Sequence, residues 1–198
     1  MRLHEYQTKA IFRKYEIPTP RGKVATNAGE AKMLAEEIGG PVVVKAQVLV
    51  SGRGKAGGIR LAKSPKEAEE LTSLILGREI KGFPVNKVLI EEAVIFTQEV
   101  YIAITLDREV GLPILITSGS GGIDIEEVAL RSPEKILKLH LNPLLGIQDF
   151  HARLVAVNMD LPHPFWRQFA QILSETWKAF REHDAGIGQC HALLDDIF

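Results

Sequence analysis

The stretch from Pro41 to Ala62 constrains this chain more than any other part of it. Pro41–Val48 is apolar and β-branched, which predicts a strand. A loop carrying Gly52, Gly54, Gly57 and Gly58 follows, and Gly58–Ala62 reads as a second strand. Gly52-Arg-Gly54-Lys-Ala-Gly57 satisfies the spacing G-x-G-x-x-G. A dinucleotide-binding unit needs that loop to open a helix, and here it leads into Ile59-Arg60-Leu61-Ala62 instead. A P-loop is excluded as well, because Gly54-Lys55 is followed by Ala56 and supplies no hydroxyl for a metal. What remains is a flap: strand, glycine loop, strand.

The charge around the flap is as unusual as its glycine. The whole chain of 198 residues is nearly neutral, with 24 basic against 25 acidic side chains, so it has no global attraction to nucleic acid or membrane. Yet no acid occurs between Glu37 and Glu67, while Lys45, Arg53, Lys55, Arg60, Lys63 and Lys66 all do. Glycines let backbone amides approach phosphate oxygens with no Cβ in the way. Arg53 and Lys55 add charge beside them, and Lys45 sits on the preceding strand, as in the flap that covers ATP phosphates in kinases. Phosphate binding is the expectation. The competing reading is a flexible hairpin turn with solvated charges.

The remaining pattern mixes α and β. Amphipathic spacing predicts a helix over Leu3–Tyr15, ended by Pro18 and Pro20. A short strand, Lys23–Thr26, precedes a helix capped by Asn27 with Glu30 and closed by Gly39-Gly40. Ser64-Pro65-Lys66-Glu67 opens a helix to about Leu76. Lys87–Glu92, Glu99–Asp107 and Leu112–Thr117 read as strands, with some connections too short for crossover helices, so antiparallel pairing is expected. In the middle strand Val100, Ile102, Ile104 and Leu106 share one face, and Glu99, Tyr101, Ala103 and Thr105 the other. Helices are expected over Ile123–Leu130, Phe150–Asn158 and Pro164–His183, with a loop at Asn142–Gly146.

Few other residues suggest chemistry. Glu91 and Glu99 lie at the ends of apolar strands, where a carboxylate can accept from a ribose hydroxyl or an adenine amino group; the alternative is a solubilising edge charge. Gly119, Gly121 and Gly122 precede a helix and could form an anion site or a plain turn. The six histidines form no spaced ligand set, with His4, His140, His151 and His163 expected at the surface or in loops. No nucleophile elbow or H-E-x-x-H is present. One cysteine, Cys190, fits a reducing compartment. No apolar run is long enough to span a bilayer and the N-terminus does not read as a signal peptide, so a cytoplasmic location is expected.

Taken together, Met-Arg-Leu-His-Glu-Tyr-Gln, Val-Val-Lys45-Ala-Gln-Val, Gly52-Arg-Gly-Lys-Ala-Gly-Gly58 and Gly121-Gly-Ile-Asp-Ile-Glu-Glu-Val-Ala129 resemble the beta subunits of succinate–CoA ligases over residues 1 to about 184. The resemblance implies an α+β ATP-grasp fold of two subdomains with antiparallel sheets, incomplete at the C-terminus. Residues 1–19 would form a helix belonging to the second subdomain, 20–110 the lid with its flap, and 111–198 the truncated second subdomain. It implies that Lys45 and the Gly52-Arg53-Gly54 backbone hold phosphates, that Glu91 and Glu99 lie in the adenosine pocket, and that Val94 meets the base. Pro20 resembles the members that use adenine nucleotides. The reaction implied joins succinate and CoA at the expense of ATP, giving ADP and phosphate, through a phosphohistidine on a partner alpha subunit. That would account for the lack of a catalytic base here.

The tail departs from the family. Where the family continues with Glu-Ile-Asn-Pro-Leu, whose asparagine binds Mg²⁺, this chain has Gln189 and His191 near the expected Glu and Asn and no following proline. Asp195 and Asp196 are carboxylates in that region with no metal-ligand spacing. The family's Mg²⁺ ligands and its CoA-ligase domain are therefore expected to be missing, and turnover by this chain alone is not expected. Two other readings share the residues: a non-catalytic nucleotide-binding module, and a ligase for another carboxylate such as malate.

Overall fold

A computed structural model describes residues 2–50, 52–96, 98–122, 125–185 and 187–194, the last of these as backbone. The chain divides into two units, Met1–Ile11 with Thr19–Val94, and Phe12–Pro18 with Ile95–Phe198.

The first unit is a four-stranded antiparallel sheet with two helices on one face. Its strands are β1 (Gly22–Ala25), β2 (Val42–Ala46), β3 (Ile59–Ala62) and β6 (Val88–Glu92), in the order β1-β6-β2-β3. Helices α2 (Ala28–Ile38) and α3 (Pro65–Ile75) begin where the caps predict. Asn27 Oδ1 accepts from the Glu30 amide at 2.9 Å, and Ser64 Oγ from the Glu67 amide at 3.2 Å. The helices bring alanines, Ala31, Ala35 and Ala68, against Val42, Val44, Ala46 and Ile90 of the sheet. Residues two apart on a strand share a face, so burying Val42, Val44 and Ala46 turns Val43 and Lys45 away from the helices. A small hairpin, β4 (Glu79–Ile80) and β5 (Phe83–Pro84), turns at Lys81 and Gly82, both with positive φ, as a two-residue hairpin turn of the primed type requires.

The second unit repeats the layering with a longer sheet, β7 (Gln98–Asp107), β8 (Leu112–Ser118), β9 (Ile136–His140) and β10 (Ile187–Leu194), ordered β10-β7-β8-β9 and wholly antiparallel. Helix α4 (Ile125–Arg131) follows the second glycine cluster, and α5 (Asp149–Asn158) and α6 (Trp166–Glu182) supply the core. On α6, Phe169, Ile172, Leu173, Thr176 and Trp177 are buried at the i, i+3, i+4 spacing of one helix face. Phe169, Leu173 and Trp177 pack with Val100, Ile102, Ile104 and Leu115 of the sheet. Ile172 instead joins Phe12 and Ile17, where the end of helix α1 (Glu5–Lys14) enters this unit. Tyr15 adds a 2.7 Å bond to Glu182.

Several expectations need correction. The boundary between units falls at Val94, not residue 110, because β7 bonds to β8 and β10 and to no strand of the first sheet. Of residues 1–19, expected in the second subdomain, 1–11 group with the first unit, through ion pairs described below, and 12–18 with the second. The two faces of β7 are both covered at its middle, since Tyr101 and Ala103 are buried like Val100, Ile102 and Ile104, while Leu106 is half exposed. His140, expected at the surface or in a loop, is an exposed strand residue, its Nε2 lying 2.8 Å from Asp107 Oδ2. That contact, with amide donors from Glu109 and Val110, keeps the Asp107 carboxyl below its ordinary range. Strands β4, β5, β9 and β10 were not expected. The expected helix start at Ile123 lies outside the described residues.

Candidate functional site

The β2–β3 hairpin has Lys45 opposite Ile59 at the root of the glycine loop. Within the loop, the amides of Ala56, Gly57 and Gly58 bond to the carbonyls of Gly52, Gly54 and Arg53 at 3.3, 3.0 and 2.8 Å. The Gly58 carbonyl in turn accepts from the Ala46 amide at 2.7 Å, closing the loop on the strand. Gly52 has φ +71° and Gly57 φ +75°, a region that L side chains enter at a cost. A Cβ on Gly58 would lie 2.5 Å from Ile80 Cδ1 and 3.2 Å from Ala46 Cβ, so the β4–β5 hairpin presses against the loop from below.

Strand register sets the ionic partner of Lys45. Val43 is opposite Glu91 and Lys45 opposite Leu89, which makes Lys45 and Glu91 diagonal neighbours on the face away from the helices. Their side chains form an ion pair. Glu91 is 1 % exposed on an interior strand, which rules out the edge-charge reading of this residue. Gly22 faces it across β1, where a Cβ would lie 3.1 Å from the Glu91 Cβ. Burying a carboxylate this far requires close cations. The second is Lys9, at 2.5 Å.

Helix α1 thus enters the site, and sequence reasoning missed it. Glu5 and Lys9, one turn apart, pair with each other at 3.0 Å and both reach the sheet. Glu5 accepts from Lys45 at 3.3 Å and from Arg53 Nη2 at 2.7 Å. Arg53 also donates from Nη1 to the Ala46 carbonyl at 2.8 Å. Gln47, almost fully buried, accepts from the Tyr6 amide at 3.2 Å and donates to the Lys45 carbonyl at 3.0 Å. The signals in the sequence were the Glu5–Lys9 spacing, which on an amphipathic helix reads first as a solvated face, and the motif Met-Arg-Leu-His-Glu-Tyr-Gln, which names no role for Glu5.

The result is a cluster of three cations, Lys9, Lys45 and Arg53, around two carboxylates, Glu5 and Glu91, leaving one positive charge in excess. Each cation's side chain is a fifth exposed or less. Burial works to raise the Glu5 pKa, but the charges of Lys45, Lys9 and Arg53 outweigh it and hold the carboxyl well below its usual range. Burial likewise works against the Lys45 ammonium, and Glu5 and Glu91 outweigh it, raising its pKa. Glu5 and Lys45 both therefore stay charged at neutral pH. A partly buried, net-positive cluster at the root of a glycine loop is suited to bind an anion.

Val94 and Glu99, also singled out by sequence, belong to different units. Val94 is half-buried and ends the first unit; the neighbouring Ala93 amide is tied to the Pro41 carbonyl at 2.9 Å. Glu99 belongs to the second unit, on β7, where its carbonyl accepts from the Gly121 amide at 2.8 Å. A Cβ on Gly121 would run into that carbonyl, and one on Gly122 would lie 2.8 Å from Glu99 Oε2. The second glycine cluster is therefore shaped around a carboxylate of its own chain. Side chains of Gln189 and His191, and all of Asp195 and Asp196, lie outside the described residues. Among the described residues no three His, Cys, Asp or Glu side chains converge to hold a metal. No helix among them is long and apolar enough to cross a membrane.

Comparison with known proteins bears on the family and the fold. The chain is 45 % identical over 195 residues to the succinate–CoA ligase (ADP-forming) subunit beta of Roseiflexus sp. strain RS-1, covering 98 % of this chain and 52 % of that one. It is 47 % identical to the protein of the same name from Chloroflexus aurantiacus strain J-10-fl, covering 98 % and 51 %. The chain thus spans about half the length of the curated relatives it matches. Among solved structures, the dinucleotide-forming acetyl-coenzyme A synthetase 1 of Ca. Korarchaeum cryptofilum, in complex with coenzyme A, Ca-AMPCP and HgCl+, superposes with a TM-score of 0.75 at 17 % identity, over 93 % of this chain and 83 % of that one. The expected fold, with its antiparallel sheets, is borne out. The ATP-grasp domain profile matches residues 2–191, almost the whole chain, and the chain belongs to the ATP-grasp domain family.

Proposed function

We propose that this chain is the nucleotide-binding part of an ADP-forming succinate–CoA ligase beta subunit. In that role Lys45 and the Gly52-Arg53-Gly54 backbone take the phosphates of ATP or ADP. Glu91 and Val94 serve the adenosine, as does Glu99, and Pro20 fits the preference for an adenine base. The observation that carries the reading is the excess positive charge of the buried cluster beside the glycine loop, because phosphate is the anion such a loop can approach closely. The kinship with beta subunits supports the wider reaction: succinate, CoA and ATP giving succinyl-CoA, ADP and phosphate, by way of a phosphohistidine on an alpha subunit. Mg²⁺, which in such a reaction offsets phosphate charge, finds no ligand set of three His, Cys, Asp or Glu among the described residues.

Titration of the 198-residue chain with ATP by calorimetry tests the reading. Lys45→Ala should weaken binding by about 10- to 150-fold, since a hydrogen bond to a charged group contributes about 1.5–3 kcal/mol. Equal affinities for the parent chain and Lys45→Ala would return Lys45 to a structural charge paired with Glu91.

A further inference from the structure

We propose that Glu5 is a positioning residue for the phosphate cradle, joining Arg53 of the loop to Lys45 of the strand and so fixing where both stand. The proposal rests on the phosphate reading of Lys45 and the glycine loop. Arg53 is held at both ends of its fork, by the Ala46 carbonyl at 2.8 Å and by Glu5 at 2.7 Å. Its own carbonyl accepts from the Gly58 amide at 2.8 Å, so a shift of Arg53 carries the Gly52–Gly54 backbone with it. The other carboxylate oxygen of Glu5 accepts from Lys45 at 3.3 Å and pairs with Lys9 at 3.0 Å. One side chain from the first turn of α1 therefore links the charge and the backbone that a phosphate would meet. Glu91 cannot substitute for it, because the cations that Glu91 holds are Lys9 and Lys45, on the helix and the strand, with the loop outside its reach.

The helix has other attachments to the sheet, which separates positioning from folding. Tyr6 bonds through its amide to Gln47 at 3.2 Å, and Lys9 pairs with Glu91 at 2.5 Å. Loss of Glu5 leaves both in place. A glutamine at position 5 keeps the shape and one acceptor oxygen but loses the charge and the second acceptor, so it cannot serve Arg53 and Lys45 together.

The test is calorimetry of the 198-residue chain with ATP and, separately, adenosine, which has no phosphate. Glu5→Gln should weaken ATP about tenfold, the scale of one charge-assisted bond, with adenosine affinity unchanged. Glu5→Asp, which keeps the charge on a shorter stem, should recover part of the loss. In a cycle with Arg53→Ala, the double variant should lose less than the sum of the two single losses, because both act through one contact. Unchanged or tighter ATP binding by Glu5→Gln would overturn the proposal, as would parallel losses of ATP and adenosine. The Lys45→Ala chain tells the two failures apart. If Lys45→Ala weakens ATP and Glu5→Gln does not, only the role of Glu5 falls; if neither does, the cradle reading falls with it.

Discussion

The guanidinium of Arg53 donates to the carboxylate of Glu5 at 2.7 Å, joining residues 48 positions apart and fastening a glycine-rich loop to the first helix. Arg53 looked, from sequence, like a loop charge available to any anion. In the fold its side chain is already engaged, and the backbone around it is left as the part suited to meet a ligand.

That pair makes part of the stability depend on pH. The folded-state pKa of Glu5 lies below its ordinary value, so its contribution is complete above the unfolded pKa and is lost as pH falls toward the folded one. The gap in urea midpoint between the parent chain and Glu5→Gln should be constant around neutrality and shrink below about pH 4, where an ordinary glutamate protonates. Lys45 is shifted the other way, so its contribution fades only above about pH 10.4. A gap that stayed the same from neutral to strongly acidic pH would show that Glu5 is not held ionised by its neighbours.

Glu91 should matter more than any surface ion pair. It is 1 % exposed and holds two ammonium groups, so Glu91→Ala leaves Lys9 and Lys45 short of a partner in a site of low polarity. A loss of about 3–5 kcal/mol is expected in urea denaturation. Lys23–Glu37, 2.6 Å apart but with both side chains more than half exposed, should give less than about 1 kcal/mol on Lys23→Ala. Similar losses for the two variants would contradict the burial argument.

Gly58 and Ile80 form a steric pair. Gly58→Ala puts a methyl 2.5 Å from Ile80 Cδ1 and 3.2 Å from Ala46 Cβ and the Arg53 carbonyl. The Ile80 tip can turn aside; the other two contacts must give by a few tenths of an ångström. A destabilisation of about 1–3 kcal/mol is expected. Ile80→Val, which trims the offending carbon, should cost less in the Gly58→Ala background than in the parent chain. Additive losses would mean that the hairpin does not press on the loop.

In the second unit, Gly121→Ala should be worse than most glycine replacements. Its Cβ would meet the carbonyl of Glu99, which is backbone and cannot swing away. The 2.8 Å bond from the Gly121 amide to that carbonyl should be disturbed. Amide hydrogen exchange at Gly121 and along β7 should quicken in the variant, and unaltered protection would refute the contact.

Local rules carried the outline of this fold. Asn27 and Ser64 mark helix starts because a side-chain oxygen finds an amide three residues on, a relation that exists in the chain before it folds. Alternation in Val42–Ala46 predicted which residues would be buried and turned Lys45 to the other face. Strand β9 was harder to read because its five residues are partly exposed and follow directly on a helix and a short 3₁₀ turn. Strand β10 was not read from its side chains, yet it pairs with β7, since the bonds of a sheet are made by backbone whatever the side chains.

Sequence alone determined the main helices and the longer strands of the first sheet, the basic glycine loop and the position of Lys45 on the strand before it. Tertiary structure alone decided which charges answer that lysine. Glu5, Lys9, Lys45, Arg53 and Glu91 come from a helix, two strands and a loop, and beyond the one-turn pair Glu5 and Lys9 no spacing along the chain links them. They meet because the β2–β6 register sets Glu91 diagonal to Lys45 and because α1 returns its first turn to the same face. The energy of an ion pair depends on separation and on the polarity around it. Both are properties of the folded molecule.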